Sequence, residues 1–390
     1  MTCHIAAPKW TSLLWLGLAL TSSSVFGAPQ GKVLRVGWGK EFLLPSIAAQ
    51  FAQDGDTVEI DVGIYTKDAA VWKQNNLTIR TINGRAHLKA NGAHAEGKAI
   101  WVIKGDNVSI ENIEFSGAKV PDGNGAGIRI EGANPTILNC YFHDNENGVL
   151  SGANPNSDIV IEHSEFARNG SGTGQTHNLY IGAVRSFTLR YSYTHHARVG
   201  HNVKSRAARN FILYNRIMDE ATGNSSYAID LSSGGLSFII GNEIQQGPFT
   251  ENYTLVSYGA EGLAKAANNS LYFVNNTLVN ERPQGGRFIF VKPGAGPVRI
   301  LNNLFIGKGA IEAPDAEMAG NVLGTPQDVV SSKNYDYRLR AGGKSINAGS
   351  ELGNAHGVSL RANKEYLHKT SHTPRRMAGA PDAGAHEFAP

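Results

Sequence analysis

Tyr180, Lys204 and Asp230 set a phenol, an amine and a carboxylate at steps of 24 and 26 residues. Each closes the same short pattern: His177-Asn178-Leu179-Tyr180, His201-Asn202-Val203-Lys204 and Tyr227-Ala228-Ile229-Asp230. In a strand, successive side chains alternate between faces. Burying Leu179, Val203 and Ile229 therefore turns Tyr180, Lys204 and Asp230 outward, one above another at about the 4.8 Å spacing of neighbouring strands. Asn178 and Asn202 share that outward parity. His177 and His201 have the inward parity, but they stand at strand starts, where a turn can swing them to solvent. Such a row suits acid and base chemistry. A lysine removes a proton when burial or nearby positive charge favours its free amine, a phenol can return one, and a carboxylate orients a partner or acts itself. The candidate catalytic residues are Lys204, Tyr180, His201 and Asp230. His177, Asn178, Asn202, Arg206, Arg198, Arg129 and His196 are candidate substrate-binding residues. His177, His195, His196 and His201 form the densest histidine group in the chain, yet no His-x-x-x-His helix pair or cysteine accompanies them. They read as substrate-binding groups, and no metal is assigned.

Residues so far apart meet only if the chain stacks. From Asn76 onward a unit recurs in which an apolar strand is followed by Asn or a substitute and then by an aromatic or aliphatic residue. Examples are Ile110-Glu111-Asn112-Ile113, Leu138-Asn139-Cys140-Tyr141, Leu213-Tyr214-Asn215-Arg216, Ile240-Gly241-Asn242-Glu243 and Leu301-Asn302-Asn303-Leu304. Steps near 27 residues fall in the solenoid range. The runs alternate with period two, which excludes a helical solenoid and leaves a parallel β-helix with three short strands per coil. Asparagine at a fixed place can bond the coils above and below, and it tolerates a left-handed bend.

The ends differ from the repeat. Lys9 precedes the apolar run Ser12 to Leu20, and small residues follow near Gly27 and Ala28, as in a secretory signal peptide. The expected organisation is a signal peptide over 1–27, an N-terminal cap and first strands over 28–75, the β-helix over 76–310 and a loop-rich C-terminal cap over 311–390. Leu44 to Ala52 reads as a capping helix, which an exposed solenoid end requires. The expected location is secreted or periplasmic. Cys140 is then the only mature cysteine, so stability must come from burial. The 36 basic and 33 acidic residues nearly balance, so composition suggests neither nucleic acid nor an anionic membrane as partner. A monomer is expected.

The repeat resembles the right-handed β-helix of pectin-lyase-like carbohydrate enzymes over roughly Asn76 to Gly309. Val203-Lys204-Ser205 followed by Asn210-Phe211-Ile212-Leu213-Tyr214-Asn215 resembles the lysine-bearing coil of the alginate-lyase and chondroitinase-B type of polysaccharide lyase. The resemblance implies an all-β fold, an acidic polysaccharide as substrate and β-elimination, with Lys204 removing the C5 proton of a uronic acid. Departures are plain. Asp230-Leu231-Ser232 stands where that family carries an arginine, and His201-Asn202 stands where it places acidic calcium ligands. Calcium takes oxygen donors, so no cofactor is expected and calcium is not supported. A basic groove built from Arg129, Arg185, Arg198, Lys204 and Arg206 is expected instead. Two other readings fit the same fold. One is a glycoside hydrolase using Asp230 with Asp219 or Glu220, and the other is a carbohydrate-binding β-helix without catalysis.

Overall fold

Short strands, most of three to five residues and cut by residues that tolerate a bend, hydrogen-bond to the coils before and after. The computed structural model describes residues 1–2, 31–265 and 268–389. Most of the segment expected as a signal peptide thus lies outside the described residues. Within the unit Gly31–Pro390, the strands form three parallel sheets of 12, 10 and 11 strands, each ordered coil by coil. One coil runs through Val184–Arg190 in the 12-stranded sheet, Tyr193–His195 in the 11-stranded sheet and Val203–Ser205 in the 10-stranded sheet. Complete coils begin earlier than Asn76, with Thr57–Ile60, Gly63–Thr66 and Ala70–Trp72; the last complete one ends at Glu312, and Glu317–Ala319 and Val322–Gly324 add a final strand to two of the sheets. No helix among the described residues is long and apolar enough to cross a membrane.

Equivalent positions stack inside. Phe115, Phe142 and Phe166 lie ring over ring at 5.0 and 4.9 Å, within 5° of parallel. That is the coil rise itself, so one aromatic per coil fills the core without a gap. Cys140 is buried beside this core, and desolvation pushes its thiol up to about 12, leaving it inert.

The recurrent asparagines separate into two columns. Asn112, Asn139, Asn275 and Asn302 take left-handed φ values of 50 to 60° at the corner between the 12- and 11-stranded sheets. His163, Tyr191 and Tyr214 occupy the same corner at φ 52 to 56°, where a ringed residue is strained. Ring stacking offsets this, with Tyr191 and Tyr214 nearly parallel at 5.9 Å. One residue later, Asn215, Asn242, Asn276, Asn303 and Asn321 turn inward. From Asn242 onward each Oδ1 accepts the backbone N–H and the Nδ2 of the asparagine one coil earlier, as between Asn215 and Asn242 at 2.9 and 3.0 Å.

The ends are closed differently. Helix Pro45–Phe51 starts on proline and buries Ala48 and Ala49 against the first coils. At the far end Glu312 and Glu317 are taken by Arg287 and Arg299 of the preceding coil, each at 2.7 Å. The C-terminal segment is not confined to the last coils. It reaches much further back, because the hairpin Lys364–Leu367 and Ser371–Pro374 extends to Lys369 on Glu165 and Thr370 on His163. Its anchor is His386, wholly buried between Glu243 at 2.6 Å and Glu365 at 3.2 Å. Arg375 beside it bonds Glu387 and the carbonyls of Gly384 and Asp382.

Burial opposes the charge on His386, but the bonds to Glu243 and Glu365 prevail and raise its pKa from 6.5 to about 9. A raised folded-state value gives stability that is complete below 6.5 and is lost as pH rises through about 9, a loss on the order of 3 kcal/mol. Thermal melting should therefore decline between pH 6.5 and 9.5, and His386→Gln should melt lower and flatten that decline. A wild-type melting temperature that stays level across this range would contradict the anchor's charge.

Candidate active site

In the 10-stranded sheet, Tyr180 pairs with Lys204 and Lys204 with Asp230, in unbroken register. Leu150 and Arg129 precede them in the row, and Ser257 follows. Leu179, Val203 and Ile229 are fully buried in the core. The alternation of these three strands thus places the phenol, amine and carboxylate on one outward face.

The row is tightly coupled. Lys204 Nζ lies 3.5 Å from Asp230 Oδ2 and 2.8 Å from Glu261 Oε1, with 12% of its side chain exposed. Glu261 Oε2 receives Arg206 at 2.5 Å, and Arg206 Nε donates to the Tyr180 hydroxyl at 3.0 Å. One carboxylate therefore bridges the lysine and the arginine that holds the tyrosine. Burial lifts the Glu261 carboxyl, but the bonds from Lys204 and Arg206 hold it below the usual range. Burial pushes the Asp230 carboxyl up, against the bond from Ser232 at 2.6 Å and the Lys204 charge. Asp230 Oδ1 is buried without a hydrogen-bond partner.

His177 and His201 stack at 4.6 Å below the row. His177 Nδ1 accepts the His201 backbone N–H at 2.9 Å, and His201 Nδ1 accepts that of Tyr227 at 3.3 Å. Both rings must then carry their proton on Nε2. Desolvation, with Lys204 and Arg206 adding to it, depresses the His177 pKa to about 3. Burial, His177 and Lys204 depress that of His201 strongly as well. His201 is thus a neutral ring whose Nε2–H faces Asp230 Oδ2 at 3.6 Å. It can orient that carboxylate; it is not built to accept a proton.

Several expected groups are elsewhere. Asn178 and Asn202 do not join the outward row. Each precedes its strand, where alternation has not begun, and both are fully buried. They form a second amide ladder, in which Asn178 Nδ2 donates to Asn202 Oδ1 at 2.8 Å and Asn202 Nδ2 faces Asp219 and Ser225. Asp219 is sealed in this network, also bonded by Thr250, and Glu220 accepts the Tyr193 hydroxyl. Neither can serve Asp230 as the second carboxylate of a hydrolase. Arg198 is committed to Asp144 at 2.6 Å. His196 bonds His195 at the bend leaving the 11-stranded sheet. Arg185 lies on the 12-stranded sheet, paired with Asp158. The basic groove therefore narrows to Arg129, Lys204 and Arg206.

Arg129, Tyr180, Arg206 and Gln175 line a cleft of about 390 Å³ beside the row. Arg129 Nε is buried there with no partner. Sequence reasoning missed Glu261, because Gly259-Ala260-Glu261-Gly262 is a loop with no strand period. Its only signal was a lone acid between glycines one coil after Asp230. The arrangement can bind a carboxylate, supply a phenol and an amine on adjacent rungs, and hold a neutral imidazole behind them. Because Asn202 serves the ladder and not the groove, Asn202→Ala should cost about 1–3 kcal/mol for each polar partner left unpaired. Urea unfolding should show that loss, while the remaining folded protein binds an acidic polysaccharide with unchanged affinity. Weakened binding at full stability would return Asn202 to the groove.

Residues 62–244 match the family described as right handed beta helix region. Among solved structures, the crystal structure of pectate lyase Pel9A shares 14% identity at a TM-score of 0.64, covering 93% of this chain and 98% of that chain. ORF18 of Geobacillus virus E2 shares 11% at 0.42, covering 70% of this chain and 53% of that one. A pectin methylesterase in complex with hexasaccharide VII shares 10% at 0.28, covering 73% and 80%. No curated protein matches by sequence. The repeat, the three parallel sheets and the overlap with Pel9A along almost the whole of both chains agree: this chain has the right-handed parallel β-helix fold.

Proposed function

We propose that the protein is an exported polysaccharide lyase that cleaves a uronic-acid-containing polymer by β-elimination. The observation that carries this reading is the Glu261 bridge. The site already holds a carboxylate between Lys204 and Arg206, at 2.8 and 2.5 Å, and a substrate uronate offers the same group. Arg129 lines the same cleft as Tyr180 and Arg206 and extends the contact along it. The signal-like segment from Lys9 to Ala28 supports a secreted or periplasmic location.

In this reading the uronate carboxylate displaces Glu261 and binds Arg206. Lys204, released from Glu261, then faces the bound sugar, and as the free amine it is the general base. That amine takes the C5 proton. The electron pair left on C5 forms the C4–C5 double bond as the C4–O bond breaks, and Tyr180, aligned by Arg206, protonates the departing oxygen. Asp230, faced by the neutral His201, keeps Lys204 in the row.

Lys204→Met should lower turnover by about 10²- to 10⁴-fold with binding changed only a few-fold, because it removes a general base. Lys204→Arg should not restore turnover, since a guanidinium is not deprotonated. The readout is the near-ultraviolet absorbance of the unsaturated product. New reducing ends without that absorbance would mean hydrolysis and end the lyase reading.

Glu261→Gln should lower KM several-fold on acidic polymers, because the displaced carboxylate no longer competes. Added salt should weaken substrate binding, since exposed charge pairs are screened beyond about 8–10 Å at physiological ionic strength. A KM raised by Glu261→Gln would make Glu261 a substrate contact and not a competitor.

A further inference from the structure

His87, Glu114 and His143 lie on the 11-stranded sheet, in the strands Ala86–Lys89, Ile113–Ser116 and Tyr141–His143 of three successive coils. Among the described residues they bring three potential ligand atoms within 4.8 Å of one another. His143 Nε2 is 3.0 Å from Glu114 Oε1, and His87 Nδ1 is 3.5 Å from the same oxygen. Their side chains are 16 to 25% exposed, open enough for an ion to enter.

The outer nitrogens are already occupied. His143 Nδ1 meets Asp144 Oδ2 at 2.8 Å, and His87 Nε2 meets Ser116 Oγ at 2.6 Å. A neutral imidazole has one N–H and one lone pair. His143 has a carboxylate at each nitrogen, so when Nδ1–H donates to Asp144 the Nε2 lone pair confronts Glu114. With Ser116 accepting from His87, the His87 Nδ1 lone pair points at Glu114 as well. In these tautomers two lone pairs and a carboxylate oxygen converge on one spot, and a cation between them removes the repulsion; without an ion, His143 Nε2–H donates to Glu114 at 3.0 Å instead. A carboxylate behind a histidine is also the arrangement that orients an imidazole toward a metal.

We propose that His87 Nδ1, Glu114 Oε1 and His143 Nε2 bind a divalent transition-metal ion of the zinc class, with water completing the coordination. Tetrahedral zinc with ligand bonds of about 2.0–2.2 Å sets neighbouring donors about 3.4 Å apart, and the 3.0 and 3.5 Å separations already bracket that value. Hard cations such as calcium prefer an all-oxygen shell and do not fit two imidazoles. The ion would staple three coils together, on a different sheet from Lys204, so the site stands independently of the catalytic reading.

The test is titration of the full, chelator-stripped chain with Co²⁺. The expected result is one saturable site per chain with visible absorption bands, and a raised melting temperature. His87→Ala and His143→Ala should each abolish the bands, while His356→Ala, an exposed histidine elsewhere, leaves them unchanged. Asp144→Asn should keep the bands with about 10- to 100-fold weaker affinity. Should the histidine variants fail to fold, one equivalent of Zn²⁺ added to the wild-type chain should still shift the ring resonances of two histidines alone. Absence of saturable uptake, uptake unchanged in both variants, or no paired histidine shift would overturn the proposal. Each would leave His87, Glu114 and His143 a hydrogen-bonded cluster without an ion.

Discussion

A side-chain amide that donates on one side and accepts on the other fixes the spacing on which everything else here rests. Backbone hydrogen bonds between parallel strands hold neighbouring coils together, but a strand that slips by one residue turns its core face to water. The inward asparagines resist that slip. Asn215, Asn242, Asn276, Asn303 and Asn321 are each bonded to the next, so a shift in any coil would strand buried amides without partners. At the other bend Asn145, Asn169, Asn178 and Asn202 do the same. This second ladder lies directly before the strands that carry Tyr180 and Lys204, so the register of the row is set a residue or two away from the groups it aligns.

That proximity explains what could and could not be read from the chain. The His-Asn-Leu-Tyr and His-Asn-Val-Lys repeat was legible as stacked coils because apolar alternation survives in strands of three residues. Tyr180, Lys204 and Asp230 followed from it. The repeat also misled, because a repeated residue in a solenoid is more often a rung than a ligand. Asn178 and Asn202 recur as ladder amides, and His177 and His201 recur as stacked rings whose Nδ1 atoms accept backbone N–H groups. Period-two parity fails at the bend, where φ and ψ leave the extended region. Glu261 was illegible for a related reason. A loop between coils has no period, and its position over the row comes from the length of the chain around it.

Charge is distributed by the same geometry. Stacked coils place equivalent side chains about one strand spacing apart, so like charges in a column would repel and opposite charges pair. Several ion pairs follow this rule: Arg80 with Glu59, Arg185 with Asp158, Arg190 with Glu162, Arg216 with Glu243 and Arg299 with Glu317 all join neighbouring coils. Lys204 and Arg206 differ in sharing one acid from a loop, a partner that can leave without breaking a ladder.

The last coil shows what such pairing means for a chain whose sheets could in principle continue. Parallel sheets that end in open strands invite addition of another strand, whether from a second molecule or from a growing fibre. Here the terminal strands Ala310–Glu312 and Glu317–Ala319 carry Glu312 and Glu317, whose arginine partners lie on the inner side. An incoming strand would lay its side chains against these carboxylates on the side the arginines do not cover. Growth from this edge is opposed by charge, so the same cross-coil pairing that joins the interior coils also blunts the edge against polymerisation.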